Sequence, residues 1–541
     1  MLDLTKLRDA IRWEGGVSRR LFLAYGTALS AIPLLGTRVE GRVVRRPRLA
    51  ADPFTCGVAS GEPSSTGVVL WTRLAPEPLA VGGGMAPEKV EVKWELAEDE
   101  GMKSVVKGGV AVATPQLGHA VHVAAEGLKP DRWYYYRFHA GDATSPVGRT
   151  RTTPEPTATP EKLRFAFASC QHFEQGLFTA YEHMAKDELD LVIHLGDYIY
   201  EYPHNPNTKG KLVRKHAGPA AGKIKTLEDY RNRHAQYRGD KLLQGMHARC
   251  PWLVTWDDHE FDNNYANLIQ EEQPKGKAKA DPADFLEQRA NAYQAYYENM
   301  PLRPASLPRG PHMKLYRTSN FGRLASFQVL DTRQYRTDQP NNDRSSDIND
   351  EALNPKSTLI GAEQADWLKG ALLRSPATWN VLAQQVMMGM ADLAAGEKKQ
   401  YSMDQWPGYA FERMRLMKWI AERKVPNPVV LTGDIHSNWV NELRVDDRRP
   451  EEPVVASEFV GTSISSGGNG QKDPKGLDVL LAENPFIKFH NRQRGYVRCT
   501  VTPNEWRSDY VVVPEVLEPG GAAEVPASFV VEAGRPGIKK A

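Results

Sequence analysis

The sequence predicts a mixed α/β protein preceded by a small β-sandwich. Two patterns carry that expectation. Residues 54–141 hold short alternating strands at even spacing, broken by Gly, Pro and Asp. From about residue 160, strand-like apolar runs alternate with stretches whose apolar residues recur every three or four positions, the pattern of an α/β domain. A third observation locates the chemistry. Several apolar runs end abruptly in metal-binding side chains, and strand ends of layered α/β proteins are where ligands gather.

The chain has 541 residues, room for one large domain and one or two small ones. An apolar share of 41% and a charged share of 25% are ordinary for a soluble globular protein. A formal net charge of +2 gives no global field that would argue for nucleic acid or membrane. Cys56, Cys170, Cys250 and Cys499 lie far apart and form no CxxC pair. That excludes a zinc-finger or thioredoxin motif and argues against a disulfide scaffold.

In chain order, residues 1–45 read as an export signal. The run Ser18-Arg19-Arg20-Leu21-Phe22-Leu23 precedes an Ala- and Gly-rich apolar segment. That segment is short against the roughly 20 residues of a spanning helix. The order basic, apolar, small suits a twin-arginine signal, which carries folded proteins to the periplasm, cell wall or medium. No Cys follows the segment, so no lipoprotein and no lasting membrane anchor are expected. Residues 50–153 supply the β-sandwich, with strands such as KVEVKWELA (89–97) and WYYYRFHAG (133–141). Tyr134, Tyr135 and Tyr136 alternate faces in a strand, which favours core and sheet-surface roles over a binding stripe. The Pro/Thr-rich segment 152–162 reads as a linker. Residues 160–515 form the larger domain, with helices expected over 178–188, 284–300 and 362–375. The polar stretches 205–225 and 271–280 read as solvated loops. Residues 516–541, rich in Pro, Gly and Ala, read as a tail that wraps the domain or stays disordered.

Four segments of the larger domain carry the chemistry: FAFASCQ (165–171), LVIHLGDYIYEY (191–202), LVTWDDHEFDNN (253–264) and VVLTGDIHSNW (429–439). Asp197 follows a Gly at a strand end, where its two oxygens can bridge two ions about 3.5–4 Å apart. Tyr200, three residues on, would bind as a phenolate, which favours a strongly acidic ion such as ferric iron. A strand-end turn with a core tyrosine is the plainer reading of the same residues. Cys170 is either a small buried hydrophobe or a thiolate ligand. Residues 256–264 hold Asp257, Asp258, Glu260, Asp262, His259, Asn263 and Asn264, an oxygen-rich set suited to Ca²⁺, Mg²⁺ or Mn²⁺. His259 is the candidate to contact phosphate and protonate the leaving group. Asp434 and His436, two apart, point the same way from an extended chain and can serve one metal each. Arg333 either grips a phosphate oxygen or pairs with Asp331 or another internal carboxylate. Gln384 and Gln385 either orient ligands or sit in the core or at a sheet edge.

With these motifs the chain resembles the alkaline phosphatase D family, twin-arginine-exported phosphodiesterases and phosphomonoesterases with ferric iron and calcium. The resemblance spans nearly the whole chain, through SRRLFL, FTCGVASGEP, SCQ, LGDYIYEY, WDDHEFDNN, LDTRQYR and LTGDIHSNW. It implies a two-sheet metallophosphoesterase sandwich flanked by helices, similar to purple acid phosphatases and other calcineurin-like enzymes. Their GDxxY motif is present, and Asp258–His259 stand where they carry Asn-His. Asp434 and His436 stand for His-x-His, and Cys170 replaces the missing Asp-x-His. The β-sandwich would be of immunoglobulin or fibronectin type. Carried over, Fe³⁺ is held by Cys170, Asp197, Tyr200 and His436. Ca²⁺, more than one ion, is held by Asp197, Asp258 and Asp434, with Asp257 and Asn263 as further candidates. His259 and Arg333 form the catalytic set, and metal-activated water or oxide attacks small phosphate mono- or diesters. The twin-arginine translocase is the expected partner, and a monomer the expected state.

Two other classes compete. An inactive, secreted polyanion-binding protein of the same fold would have lost ligands, yet every motif position carries a competent donor. An extracellular nuclease would need a basic groove interleaved with aromatics, and no such motif is present.

Overall fold

The structure is a computed structural model that describes residues 51–204, 212–270 and 281–541, together with 43–45, 47 and 49. The twin-arginine segment, residues 205–211 of the loop expected at 205–225 and the loop expected at 271–280 lie outside the described residues, and in the described remainder, 212–225, His216 and Ile224 are buried rather than solvated.

The first strands are β1 (Val43–Val44), β2 (Val58–Gly61), β3 (Gly67–Arg73), β4 (Lys89–Ala97), β5 (Val105–Ala113), β6 (Ala120–Glu126), β7 (Trp133–Ala140), β8 (Ala143–Thr144) and β9 (Gly148–Arg151). β1, β4, β5, β7, β8 and β9 make one sheet. In β7, Tyr134, Tyr136 and Phe138 are buried while Tyr135 and Arg137 are only half-buried, the alternation a one-sided sheet requires. The opposing layer is not a separate sheet. β2, β3 and β6 extend the main sheet of the larger domain, joined to it where Gly61 lies opposite Trp252. A Cβ at Gly61 would meet the carbonyl oxygens of Pro301 and Trp252 at 2.6 and 2.7 Å, so the junction needs glycine. The expected N-terminal sandwich therefore shares one of its layers with the rest of the molecule.

The remaining strands are β10 (Leu163–Ala168), β11 (Leu191–His194), β12 (Trp252–Val254), β13 (Arg317–Phe321), β14 (Ala325–Val329), β15 (Trp379–Ala383), β16 (Pro428–Thr432), β17 (Asn438–Leu443), β18 (Ala456–Val460), β19 (Ile487–Asn491), β20 (Arg494–Val501), β21 (Glu505–Val513), β22 (Glu524–Glu532) and β23 (Arg535–Lys540). The long sheet runs β23-β22-β21-β20-β10-β11-β12-β2-β3-β6. The second runs β13-β14-β15-β16-β18-β17-β19. Residues 516–541 are thus no loose tail. Ala527, Phe529 and Val531 alternate inward, and β22 and β23 complete the sheet edge.

The two sheets pack through Phe165, Phe167, Ile193 and Leu253 on one side and Phe327, Val381, Val429 and Leu431 on the other. Phe165 and Phe327 meet edge to face at 5.4 Å. The opposite face of β10–β12, carrying Ala166, Ala168, Val192 and Val254, lies under helices α1 (Thr179–Met184), α2 (Leu227–Arg238), α3 (Lys241–His247) and α4 (Pro282–Asn299). Burial on both faces is why these strands read as unbroken apolar runs. α5 (Gly361–Arg374) and α6 (Ala410–Glu422) cover the outside of the second sheet. The protein is a two-sheet α/β sandwich flanked by helices, with a β-rich N-terminal part. The four cysteines are buried and unpaired. Among the described residues no helix is long and apolar enough to cross a membrane.

Candidate metal centre

β10, β11 and β12 are parallel, so Cys170, Asp197 and the Asp257–Asp258 pair leave the long sheet at one end. β16 of the facing sheet delivers Asp434 and His436 to the same place. Cys170, Asp197, Asp434 and His436 have φ of 59°, 56°, 61° and 54°. Side-chain-bearing residues seldom adopt such values, and they persist where surrounding structure enforces them, often at ligand sites. Gly196 makes the approach possible: a Cβ there would lie 2.5 Å from the Asp257 backbone nitrogen.

Three groups of donor atoms result, each with its atoms within 4.8 Å of one another: Cys170–Asp197–His436, Asp197–Asp258–His259 and Asp257–Asp258–Asp434. Asp197 links the first to the second, and Asp258 the second to the third. Tyr200 stands over the first group. Its hydroxyl donates to Asp197 Oδ2 at 2.8 Å, accepts from Ser466 Oγ at 2.8 Å and lies 3.0 Å from His436 Nε2. The His259 ring packs against the Tyr200 ring, centroids 4.2 Å apart and planes tilted by 32°, and its Nδ1 lies 2.8 Å from Glu201 Oε2.

These residues fit a multivalent cation cluster. Among the described residues Asp197 Oδ1, Asp257 Oδ2 and Asp258 Oδ1 are buried and accept no hydrogen bond, and Asp258 Oδ1 has the Arg333 guanidinium near it at 3.4 Å. A buried carboxylate oxygen without a donor is costly unless a cation answers it. Burial pushes Asp197 and Asp434 well above the usual carboxylate range, with neighbouring carboxylates adding to the rise. Burial likewise lifts Asp257 to about 6, against the pull of Arg333. Burial and Asp197 hold the Cys170 thiol and the Tyr200 phenol well up. His436 goes the other way, to about 3, by burial and by the charges of Arg494 and His259, so its imidazole is neutral with a lone pair to give. His259 is held protonated despite burial by Asp258, Glu201 and Asp197. A metal would reverse the first set of shifts by favouring the anionic forms.

Arg333 is fully buried among the carboxylates of the cluster. Its guanidinium bonds Asp257, Asp404 at 2.8 and 3.0 Å and Asp434 at 2.9 Å, and lies 3.4 Å from Asp258. Arg333 thus takes the pairing alternative in this structure, with Asp404 rather than Asp331 among its side-chain partners. Asn263 is also engaged elsewhere: its side-chain oxygen accepts from the Tyr202 hydroxyl at 2.9 Å and its backbone N–H donates to Glu201. Gln385 ties Thr332 to Thr255, and Gln384 ties Thr432 to Trp406, so both glutamines brace strand ends.

Several contributors escaped the sequence reading. Glu260 accepts the backbone N–H groups of Asp197 at 3.0 Å, Asp257 at 2.7 Å and Tyr198, locking two ligand turns together. It lay within a quoted motif but read as one carboxylate among several. Gln405 donates to Asp434 at 2.9 Å, and Ser466 Oγ donates to the Cys170 carbonyl at 2.8 Å. Neither follows a strand pattern, so no sequence signal marked them.

Two family models match the chain. The PhoD-like phosphatase model covers residues 165–510, and the model for the N-terminal domain of PhoD-like phosphatases covers 41–154. Alkaline phosphatase D of Bacillus subtilis (strain 168) is 52% identical over 540 residues, 99% of this chain and 91% of the relative. A solved structure of PhoD superposes with a TM-score of 0.88 at 52% identity, covering 91% of this chain and 93% of that one. Likeness of this extent, over both the strand ends and the scaffold behind them, makes the chain a phosphoesterase hydrolase that belongs to the PhoD-like phosphatase family.

Proposed function

We propose that this phosphatase is an exported enzyme that hydrolyses small phosphate mono- and diesters at a cluster of ferric iron and calcium. The observation that carries the reading is the chain of three overlapping donor groups with three buried, undonated carboxylate oxygens. Cys170, Tyr200, His436 and one oxygen of Asp197 form a mixed S/O/N set suited to iron. Asp258 and Asp434, with Asp257 and the second oxygen of Asp197, form an all-oxygen set suited to one or more Ca²⁺. Such a cluster would neutralise the phosphate's charge and acidify the attacking water.

The chain's own residues supply the rest. His259, protonated and oriented by Glu201, hydrogen-bonds a phosphate oxygen and gives its proton to the departing alkoxide. Arg333 and Glu260 hold the carboxylates and ligand turns in place while the substrate comes and goes. No side chain is needed as a covalent nucleophile. Arg19 and Arg20 address the folded chain to the twin-arginine translocase, and the product works outside the cytoplasm as a monomer without a membrane anchor. Metal analysis of the natively exported protein, paired with rates on a 4-nitrophenyl monoester and diester, tests the reading. Iron and calcium bound together with both activities support it; an active protein without either metal overturns it.

A further inference from the structure

The metal centre opens on a cavity that the reaction as described does not use. It has a volume of about 640 Å³, within the range of small-molecule sites, and His436 lines it. Ile435 and Trp439 of the last motif line it too, as do Leu477, Val479 and Leu480 of α7 (Leu477–Glu483). Leu393 lines it as well and is 46% exposed, and Val479 is 40% exposed. Large apolar side chains left open beside a reactive centre point to an apolar ligand group. The charged lining is of one sign. Lys475, Arg492 and Arg494 contribute, and no carboxylate lines the cavity among the described residues. Arg494 is spent inside, on the His436 and Gly468 carbonyls and Ser463. Lys475 and Arg492 are exposed and form no ion pair among the described residues.

The geometry points to a subsite for the second organic arm of a phosphodiester, the arm that is not expelled, with preference for an apolar arm that carries a negative charge of its own. The phosphate sits at the cluster beside His436, and the retained arm lies along Leu477 and Leu480. Lys475 and Arg492 at the rim meet the arm's charge and repel a cationic one. The inference rests on the diesterase reading above and specifies it. A phosphomonoester has no such arm and leaves the cavity to solvent.

The test uses the metal-loaded enzyme and 4-nitrophenyl diesters that share one leaving group. Their second arms are methyl, phenyl, 4-carboxyphenyl and choline. The expected order of kcat/KM is carboxyphenyl, phenyl, methyl, choline. Lys475→Glu and Arg492→Glu should each shift the carboxyphenyl-to-choline ratio toward choline by about three- to tenfold. Leu477→Ala should lower the phenyl-to-methyl ratio by about tenfold, the scale of apolar contacts in a pocket, with the monoester rate as the internal reference. Diesters that turn over with ratios unmoved by all three substitutions would overturn the subsite and leave the diesterase reading standing. Diesters that stay inert while the monoester reacts would overturn both.

Discussion

His259 Nδ1 sits 2.8 Å from Glu201 Oε2, and both side chains are buried. The pair commits Nδ1 to the protein and leaves Nε2 as the ring nitrogen that can serve a substrate. His259→Ala should therefore slow esters with poor alkoxide leaving groups by about 10²–10⁴. It should slow a nitrophenyl ester far less, because nitrophenolate departs unprotonated. Equal losses on both, with metals retained, would leave His259 a positioning residue. Glu201→Gln should show the same leaving-group dependence at smaller amplitude.

Thiolate and phenolate ligands on ferric iron absorb in the visible. The purified protein should be coloured, and Tyr200→Phe should shift or bleach the band while severely reducing turnover. Visible absorption on the same samples as the metal analysis checks this. A colourless, iron-free and fully active enzyme would remove Cys170 and Tyr200 from the centre.

An all-oxygen ligand set releases its ion more readily than a set containing sulfur and nitrogen. A calcium-selective chelator should abolish turnover while the colour largely persists, and added Ca²⁺ should restore it. Undiminished activity after chelation would mean that Asp258 and Asp434 hold something other than calcium.

Export is separable from the chemistry. Arg19→Lys with Arg20→Lys should trap folded, active precursor in the cytoplasm, as fractionation and activity staining would reveal. Normal appearance of the double variant outside the cytoplasm would refute the signal.

A stability prediction lies away from the centre. Arg413 and Asp447 form an ion pair with both side chains fully buried, and Arg413 also donates to the Met388 and Arg444 carbonyls. Asp447→Ala leaves that cation uncompensated and should cost about 3–5 kcal/mol in denaturant unfolding. The centre's spectrum should be unchanged in the folded fraction.

The layered fold was legible because strands buried on both faces are apolar along nearly their whole length, as in Phe165–Ala168 and Leu191–Ile193. The ligand turns were legible because the donor side chains begin within two or three residues of those strand ends. Other features were hidden. Partners such as Asp404 with Arg333 lie in loops, where no periodicity marks a position. Arg333 looked available for phosphate because its pairing partners come from three other segments. β22 was masked by the Pro and Gly around it, although Val525, Ala527, Phe529 and Val531 keep a period of two.

Strand order carries a consequence for biogenesis. β10, which leads into Cys170, is hydrogen-bonded on one side by β20, with Leu163 opposite Val501. During synthesis the segment bearing Cys170, the first donor of the proposed centre, waits, unpaired on that side, until nearly the whole polypeptide has left the ribosome. Pairings so distant along the chain also fold slowly. Metal capture is then a late, post-translational event, and the nascent chain needs shelter from aggregation until its C-terminal strands arrive.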